Sequence, residues 1–506
     1  AGQRPLGLPM SPEDFSRRRN IWYAATLFAF LAHNFWVFMV LLAIVLAFTS
    51  KREHNPIALY LVVLIAIPPF FAEIPGALGI EHIIALDVPR LLGLVLLLPA
   101  WFVLRAQPQV DRFGSLLPDR LLAAYLVLYF AAQVPYDSLT NSIRLGLVYP
   151  FLEVFLPYYV ASRTIRSFKA FQDVAATFAV MGMVLAGIAA FESTRSWLLY
   201  SALDDALRVP WLFGSYLMRG EGGQLRVQAS MGHSLVLGYT MVIALIMFTL
   251  VKPKPPKPVP GRRASGSPSR LPGIAWIAGA GLLVVGLIAP LSRGPWVGAV
   301  AGLVVLSLSG PQTMSRLVRL TVVGAVCVGV LLMTPAGQGI IQFLPFVGTV
   351  DSFNVTYRQR LFDVSIEVIL QRPIFGAYDF MANPLLEQMR QGEGIIDIVN
   401  SYLGVALRNG LVGLGLFMGV FVTVLWGIAS SLKAIPDKTS DEHQAGRVLL
   451  ATLIAVMVMI ATLSSILTVG MMYFVLLGMG VGYRQMVLAK LPAPQPVTAG
   501  RFAMRR

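Results

Sequence analysis

Cysteine is nearly missing from this chain: Cys327 stands alone in 506 residues. One thiol cannot close an internal disulfide, and it offers no zinc constellation. Histidine is almost as scarce, and the five (His33, His54, His82, His233 and His443) do not cluster in sequence. A metal site therefore has no support, and no metal or other cofactor is expected. Charge is short as well. Only 13% of residues are charged against 56% hydrophobic, where a soluble domain carries about 25% charged residues. That balance excludes an ordinary soluble enzyme. It also excludes disorder, which needs low hydrophobicity.

What the chain has in abundance is long apolar runs, and its mean hydropathy is +0.71. A spanning helix needs ~20 mostly apolar residues. Such runs fall near 34–49, 57–71, 88–104, 119–134, 143–161, 171–191, 231–251, 273–290, 295–310, 316–333, 402–430, 447–466 and 470–486. A shorter apolar stretch at 21–33 is parted from the next run by His33-Asn34, so 21–49 reads as a tight hairpin. The count is 13 or 14 crossings. Orientation decides between them. All eight Lys, from Lys51 to Lys490, fall in alternate connections. The same connections hold Arg17, Arg18, Arg19, Arg105, Arg112, Arg120, Arg163, Arg166, Arg262, Arg263, Arg316 and Arg319. By the positive-inside rule these connections are cytoplasmic. Both termini then lie inside, which favours the even count. The net charge of +15, from 40 basic and 25 acidic side chains, then reads as cytoplasmic loops facing anionic lipid. Nucleic acid is not expected as a partner.

The expected fold class is an all-α polytopic membrane protein of about 12–14 transmembrane helices, with a large outer loop containing amphipathic helices. The parts are a cytoplasmic tail 1–20, an N-terminal bundle 21–191, an outer loop 192–230, central helices 231–333, a large outer loop 334–400, C-terminal helices 401–486 and a cytoplasmic tail 487–506. Within the central part, 252–272 is Pro-rich and basic and reads as a solvated cytoplasmic linker. No cleavable signal peptide is expected ahead of the first apolar run.

The two outer loops contain no Lys, yet they hold eight Arg: Arg195, Arg208, Arg219 and Arg226 in the first, Arg358, Arg360, Arg372 and Arg390 in the second. Arginine stays ionised and grips phosphate or carboxylate with a rigid fork. An Arg-only outer face therefore suggests an anionic ligand. The alternative is pairing with the loops' own acids, among them Asp351, Asp363, Glu367, Asp379, Glu387, Glu393 and Asp397.

Several constellations stand out. The segment 354–371 reads as an amphipathic helix with Leu361, Val364, Val368 and Leu370 on its apolar side, ended by Pro373. Arg360, Asp363 and Glu367 share another face, where they can pair or hold a ligand. A tight outer corner, Leu291-Ser292-Arg293-Gly294-Pro295-Trp296, puts Arg293 beside the membrane surface. Asn400-Ser401-Tyr402 opens a late span that contains Arg408, Gly410 and Gly413. Arg408 and Glu153 are charges inside spans, which usually face a bundle interior or a wet cavity. Asp87 and Arg90, three residues apart at another span's outer end, are expected to pair. His233, in Arg226-Val227-Gln228-Ala229-Ser230-Met231-Gly232-His233, sits at the mouth of a span and could act as a general base or serve structure.

Three motifs together resemble the O-antigen ligase and O-antigen (exopolysaccharide) polymerase superfamily of bacterial inner-membrane glycosyltransferases. They are LSRGPWVGAV at 291–300, the Arg358-Gln359-Arg360 helix followed by PIFGAY, and NSYLGVALRNGLVGLGLF at 400–417. The segment before the central span, from Arg226 to Gly238, is also similar, whereas the N-terminal half matches in hydropathy alone.

The resemblance implies a metal-independent glycosyltransferase at the periplasmic face of the inner membrane. Its donor would be a glycan on undecaprenyl pyrophosphate. Its other partners would be a glycan acceptor, membrane lipids and, for a polymerase, a chain-length regulator. Carried onto this chain, Arg226, Arg293 and Arg360, with Arg358 nearby, would bind the pyrophosphate in one outward pocket. Gly376, separated from Arg360 by fifteen residues, matches a polymerase pattern of Arg and Gly at that spacing. One departure matters. The ligases place a catalytic His directly before the position of Asn400, nine residues ahead of the Gly410-x-x-Gly413 pair, and here that position is Val399. This favours a polymerase over a ligase. It leaves the general base open among His233, Asp397, Asp379 and Glu367. A secondary transporter or flippase is the alternative from another class, supported by Glu153 and Arg408, though no internal repeat is seen.

Overall fold

The computed structural model describes residues 10–76, 82–209, 218–219, 223–251, 271–310, 315, 352–390 and 396–490. The expected span 316–333 with Cys327, almost all of the linker 252–272, the start of the large outer loop and the outermost parts of both tails lie outside these residues.

The chain is a multi-pass membrane protein built almost wholly of helices. The first two helices are α1 (Pro12–Leu31) and α2 (Phe35–Ser50). They part where His33 takes a positive φ of 49° and the Asn34 side chain accepts from the N–H groups of Trp36 and Val37. Such a cap satisfies donors that a helix start leaves orphaned. Asn55 and Pro56 start α3 (Pro56–Ala66) in the same way.

Here the structure departs from the hydropathy reading. The apolar run 57–71 is not one span, because Pro68 and Pro69 cannot continue a helix. The chain turns instead into an antiparallel hairpin, β1 (Phe71–Pro75) with β2 (His82–Asp87). An apolar run alone does not distinguish a helix from a strand pair.

Beyond the hairpin come α4 (Val88–Ala106), α5 (Leu117–Gln133), α6 (Leu139–Thr164) and α7 (Phe168–Arg195). Next are α8 (Ser234–Val251), α9 (Leu271–Ile288) and α10 (Arg293–Leu308). The amphipathic α11 (Ser352–Gln371) precedes α12 (Ser401–Ala434), α13 (Asp441–Ile460) and α14 (Val469–Leu488). Among the described residues seven helices are long and apolar enough to cross a membrane: α4, α6, α7, α8, α12, α13 and α14. Phe35–Ser50, Pro56–Ala66, Gly273–Ile288 and Arg293–Leu308 are shorter apolar helices.

The innermost elements are α3, α8 and α14, whose residues are almost all buried. Helix α8 packs on α7, α10 on α13, α14 on the second half of α6, and α12 on α5. We call the end of the bundle where α3 begins the near end, and the end where it stops the far end. At the near end Arg18 is 3% exposed and lies between Glu53 at 2.6 Å and Asp173 at 2.8 Å. There too Asp119 meets Arg163 at 2.5 Å, both side chains fully buried.

Candidate functional site

The far end gathers the starts or ends of α4, α6, α7, α8, α10, α12, α13 and α14. Helix α6 is loosened there. Pro150 and Pro157 lack the N–H of a regular turn, and Arg144–Val148 and Phe151–Phe155 are π turns. Beside them lies a cavity of about 640 Å³. Its walls carry Glu153 from α6, Tyr125 and Tyr129 from α5, Asp397 and Asn400 ahead of α12, and Arg408 and Asn409 within it. Tyr378, Phe380, Tyr473 and Phe474 add aromatic surface. That volume falls within the ~300–1,000 Å³ of small-ligand sites.

Glu153 is not a lone charge. Arg90 Nε donates to its carboxylate at 2.7 Å, and Arg90 also stands 3.5 Å from Asp87 and 3.6 Å from the centre of the Tyr149 ring. The expected Asp87–Arg90 pair is thus two members of a triad whose third, Glu153, spacing along one helix could not disclose. Asp397 accepts from Ser464 Oγ at 3.2 Å. Burial raises the Asp397 pKa above the usual carboxylate range, while the Ser464 hydroxyl and the Arg358 guanidinium pull it back down. Asn400 caps α12 by accepting from the N–H groups of Tyr402 and Leu403.

A second group lies next to the cavity. Leu291 takes a positive φ of 51°, so α9 and α10 meet in a sharp corner. Trp296 Nε1 braces the corner by donating to the Leu287 carbonyl at 2.9 Å. Ser292 Oγ, buried, donates to the Pro290 carbonyl and accepts from Arg226 at 3.1 Å. Arg226 is thereby tied to the residue that precedes Arg293. The backbone that carries Arg226 is anchored by Glu192, fully buried at the end of α7. Its carboxylate accepts from the N–H groups of Leu199, Gln228 and Ala229 at 2.9–3.0 Å.

His233 caps α8, its Nδ1 accepting from Leu235 N–H at 3.1 Å. That bond assigns the ring proton to Nε2. Burial, aided by the Arg226 charge, lowers the His233 pKa to about 4. The ring is neutral at pH 7 and offers a donor where a base needs a lone pair. A pH dependence follows. The unfolded chain takes up the proton first as pH falls, because its histidine titrates near 6.5. Stability from this group is therefore full above about 6.5 and is lost between there and about 4. Thermal unfolding of the purified protein should show that slope, and His233→Asn, which keeps a capping oxygen, should flatten it.

One short turn joins the two groups. Residues 461–468 connect α13 to α14. Thr462 packs against Gly294 at the arginine corner, and Leu467 packs against Gly232. Ser464 reaches Asp397, and Ser465 meets Ser401 at 2.8 Å. Hydropathy carries the preceding span to 466 and leaves only 467–469 as the connection, which hid most of this turn. Its signal was the density of hydroxyls: Thr462, Ser464, Ser465 and Thr468.

Helix α11 forms as expected, with corrections in detail. Leu361, Val368 and Ile369 are buried against Leu386, Met389 and Ile398. Leu370, by contrast, is 68% exposed, in line with Phe362 and Ile366. The helix thus carries a second apolar stripe facing away from the protein, as an interfacial helix requires. Arg360, Asp363 and Glu367 are exposed and do not form the ion-pair ladder that their spacing allowed. Arg358 is also exposed. Arg226, Arg293, Arg358 and Arg360 are not among the residues lining the cavity. Of the other loop arginines, Arg372 donates to Tyr136 and Arg390 pairs with Glu387.

Gly376 and Gly410 turn out to be one feature. Gly410 interrupts α12 with φ 64° and ψ −171°. The loop after α11 enters the break, so that Ala377 N–H donates to Leu407 O, and Leu411 and Val412 donate to Pro373 and Ile374 carbonyls. Gly376, at φ 68°, lies against the backbone of Leu407, Arg408 and Gly410. Gly413, one turn further, packs on Asn409. This crossing fixes where Arg408 and Asn409 face the cavity.

Residues 278–418 match the family model described as O-antigen ligase. The matched stretch covers the arginine corner, α11, Asp397 and the first half of α12. It supports a glycan-transferring membrane enzyme of that kind. No curated protein matches the chain.

Proposed function

We propose, for a chain that carries an O-antigen ligase domain at residues 278–418, that it polymerises oligosaccharide repeats borne on undecaprenyl pyrophosphate. It does so as a metal-independent glycosyltransferase at the periplasmic face of the inner membrane, with both termini cytoplasmic. The observation that carries this reading is an arginine corner and a carboxylate-bearing aromatic cavity set on either side of one turn.

In this reading Arg226 and Arg293 hold the pyrophosphate, with Arg360 and Arg358 approaching from α11. The acceptor sugar occupies the cavity. Its hydroxyl oxygen bonds to the anomeric carbon of the donor as the bond from that carbon to the phosphate oxygen breaks. The hydroxyl proton passes to the Asp397 carboxylate, and undecaprenyl pyrophosphate departs with the bonding electron pair. Pyrophosphate is already a good leaving group, so the work lies in positioning and charge stabilisation. Asp397 suits the base better than His233, whose Nδ1 lone pair is taken. Glu192 acts by positioning Arg226.

A ligase, moving the glycan to a distinct lipid or other acceptor, is the second reading, favoured by the description of the matched family. Val399 speaks against it, because the ligase histidine has no counterpart there. Purified protein mixed with undecaprenyl-pyrophosphate repeats should lengthen them. Arg293→Ala and Arg360→Ala should each slow elongation by roughly 10²–10³-fold, the cost of removing one preorganised donor to developing charge. Transfer to a different acceptor without elongation would select the ligase. Elongation that survives both substitutions would sink the mechanism.

A further inference from the structure

Arg408 is the one cation in the described lining of the cavity. Its guanidinium lies against the rings of Tyr129 and Tyr378, 4.3 and 4.4 Å from their centres. It makes no hydrogen bond or ion pair among the described residues. The adjacent Asn409 is 1% exposed, and neither atom of its amide has a partner among those residues. Unpaired polar groups in a shielded site carry a desolvation cost that a ligand can relieve.

The chemistry of that ligand follows from what is left open. The rings pack on the guanidinium, and its N–H groups, which make no hydrogen bond among the described residues, match a carboxylate fork to fork. A diphosphate fits poorly. It brings at least two negative charges to a lining that already holds Asp397 and Glu153, the latter neutralised by Arg90. A single carboxylate balances Arg408. The Asn409 amide, donor and acceptor at once, suits sugar hydroxyls, and the tyrosine faces suit the C–H face of a pyranose.

We infer that the cavity is a glycan subsite in which Arg408 and Asn409 select a sugar bearing one carboxylate, a uronate. This rests on the glycan-transfer reading above and names its substrate class.

The test is direct binding to the purified full-length protein, without turnover. The probes are a panel of uronate-containing oligosaccharides and the same oligosaccharides with each carboxyl reduced to a primary alcohol. Reduction should weaken binding to the wild type by roughly 10- to 100-fold, the worth of a charged hydrogen-bonded contact. In Arg408→Gln that difference should collapse to about twofold or less, while Asn409→Ala should weaken acidic and reduced forms alike. Should Arg408→Gln not fold, the wild-type comparison alone decides. Equal affinity for acidic and reduced forms, or binding of neither, would overturn the inference. So would displacement of the acidic form by equimolar inorganic pyrophosphate, which would assign the cavity to the leaving group. Carboxylate selectivity without chain elongation would retire the polymerase reading and leave this inference standing.

Discussion

Gly410→Ala is expected to destabilise the protein by about 3 kcal/mol or more, and to abolish glycan transfer where the chain still folds. Its φ of 64° with ψ −171° lies in a region that is essentially glycine's alone, and a side chain there costs about 1–3 kcal/mol in backbone strain. The added Cβ would also meet the backbone of Ile374 and Phe375. Relief by separation would break the hydrogen bonds from Leu411 and Val412 to the 373–374 carbonyls. Gly415→Ala is the control. It sits in the same helix with open space around it, and there alanine should add about 0.5–1 kcal/mol of stability. Thermal midpoints of the two variants in detergent should move in opposite directions. Equal midpoints would mean that the loop does not seat in the helix break.

Asp119→Ala should cost about 3–5 kcal/mol, the penalty for orphaning one charge of a buried pair. Asp119 and Arg163 are both fully buried, at 2.5 Å. The carboxylate also accepts from Tyr158 at 2.9 Å and from Gly114 N–H at 3.2 Å. Its removal strands the guanidinium, whose other close partner is the Ser162 hydroxyl at 2.7 Å. Glu387→Ala, which breaks the exposed pair with Arg390, should leave the unfolding midpoint unchanged. An Asp119→Ala midpoint equal to that of Glu387→Ala would show that Arg163 reaches water.

The helices were legible because membrane-sized apolar runs leave little else to form, and the break at His33-Asn34 was legible because asparagine caps. The hairpin was not, since its strands follow an apolar run that a hydropathy window extends past Pro68. Nor was the second role of the Arg17–Arg19 cluster. It reads as a topological signal, yet Arg18 is a buried hub for Glu53 and Asp173, 35 and 155 residues away. The site was half visible. Arg226, Arg293 and Asp397 stood out because their charges are conspicuous among apolar neighbours. Glu192, the 461–468 turn and the Tyr129–Arg408–Tyr378 cluster did not, because each depends on contacts between distant segments. The spacing of Gly376 and Gly410 marked two positions but not their meeting.

Helix α3 has eleven residues, a rise of about 16 Å, against the ~30 Å of a hydrocarbon core. Nearly every residue in it is fully buried, so lipid does not set its length. Beyond its end the chain is not helical, and the Ser230 hydroxyl donates to the Ile65 carbonyl at 2.5 Å. Backbone of that kind is tolerated at membrane depth only where protein or water surrounds it. At α3 the depth of a membrane is therefore met by non-helical chain packed on protein, and the length of that helix is set by its neighbours.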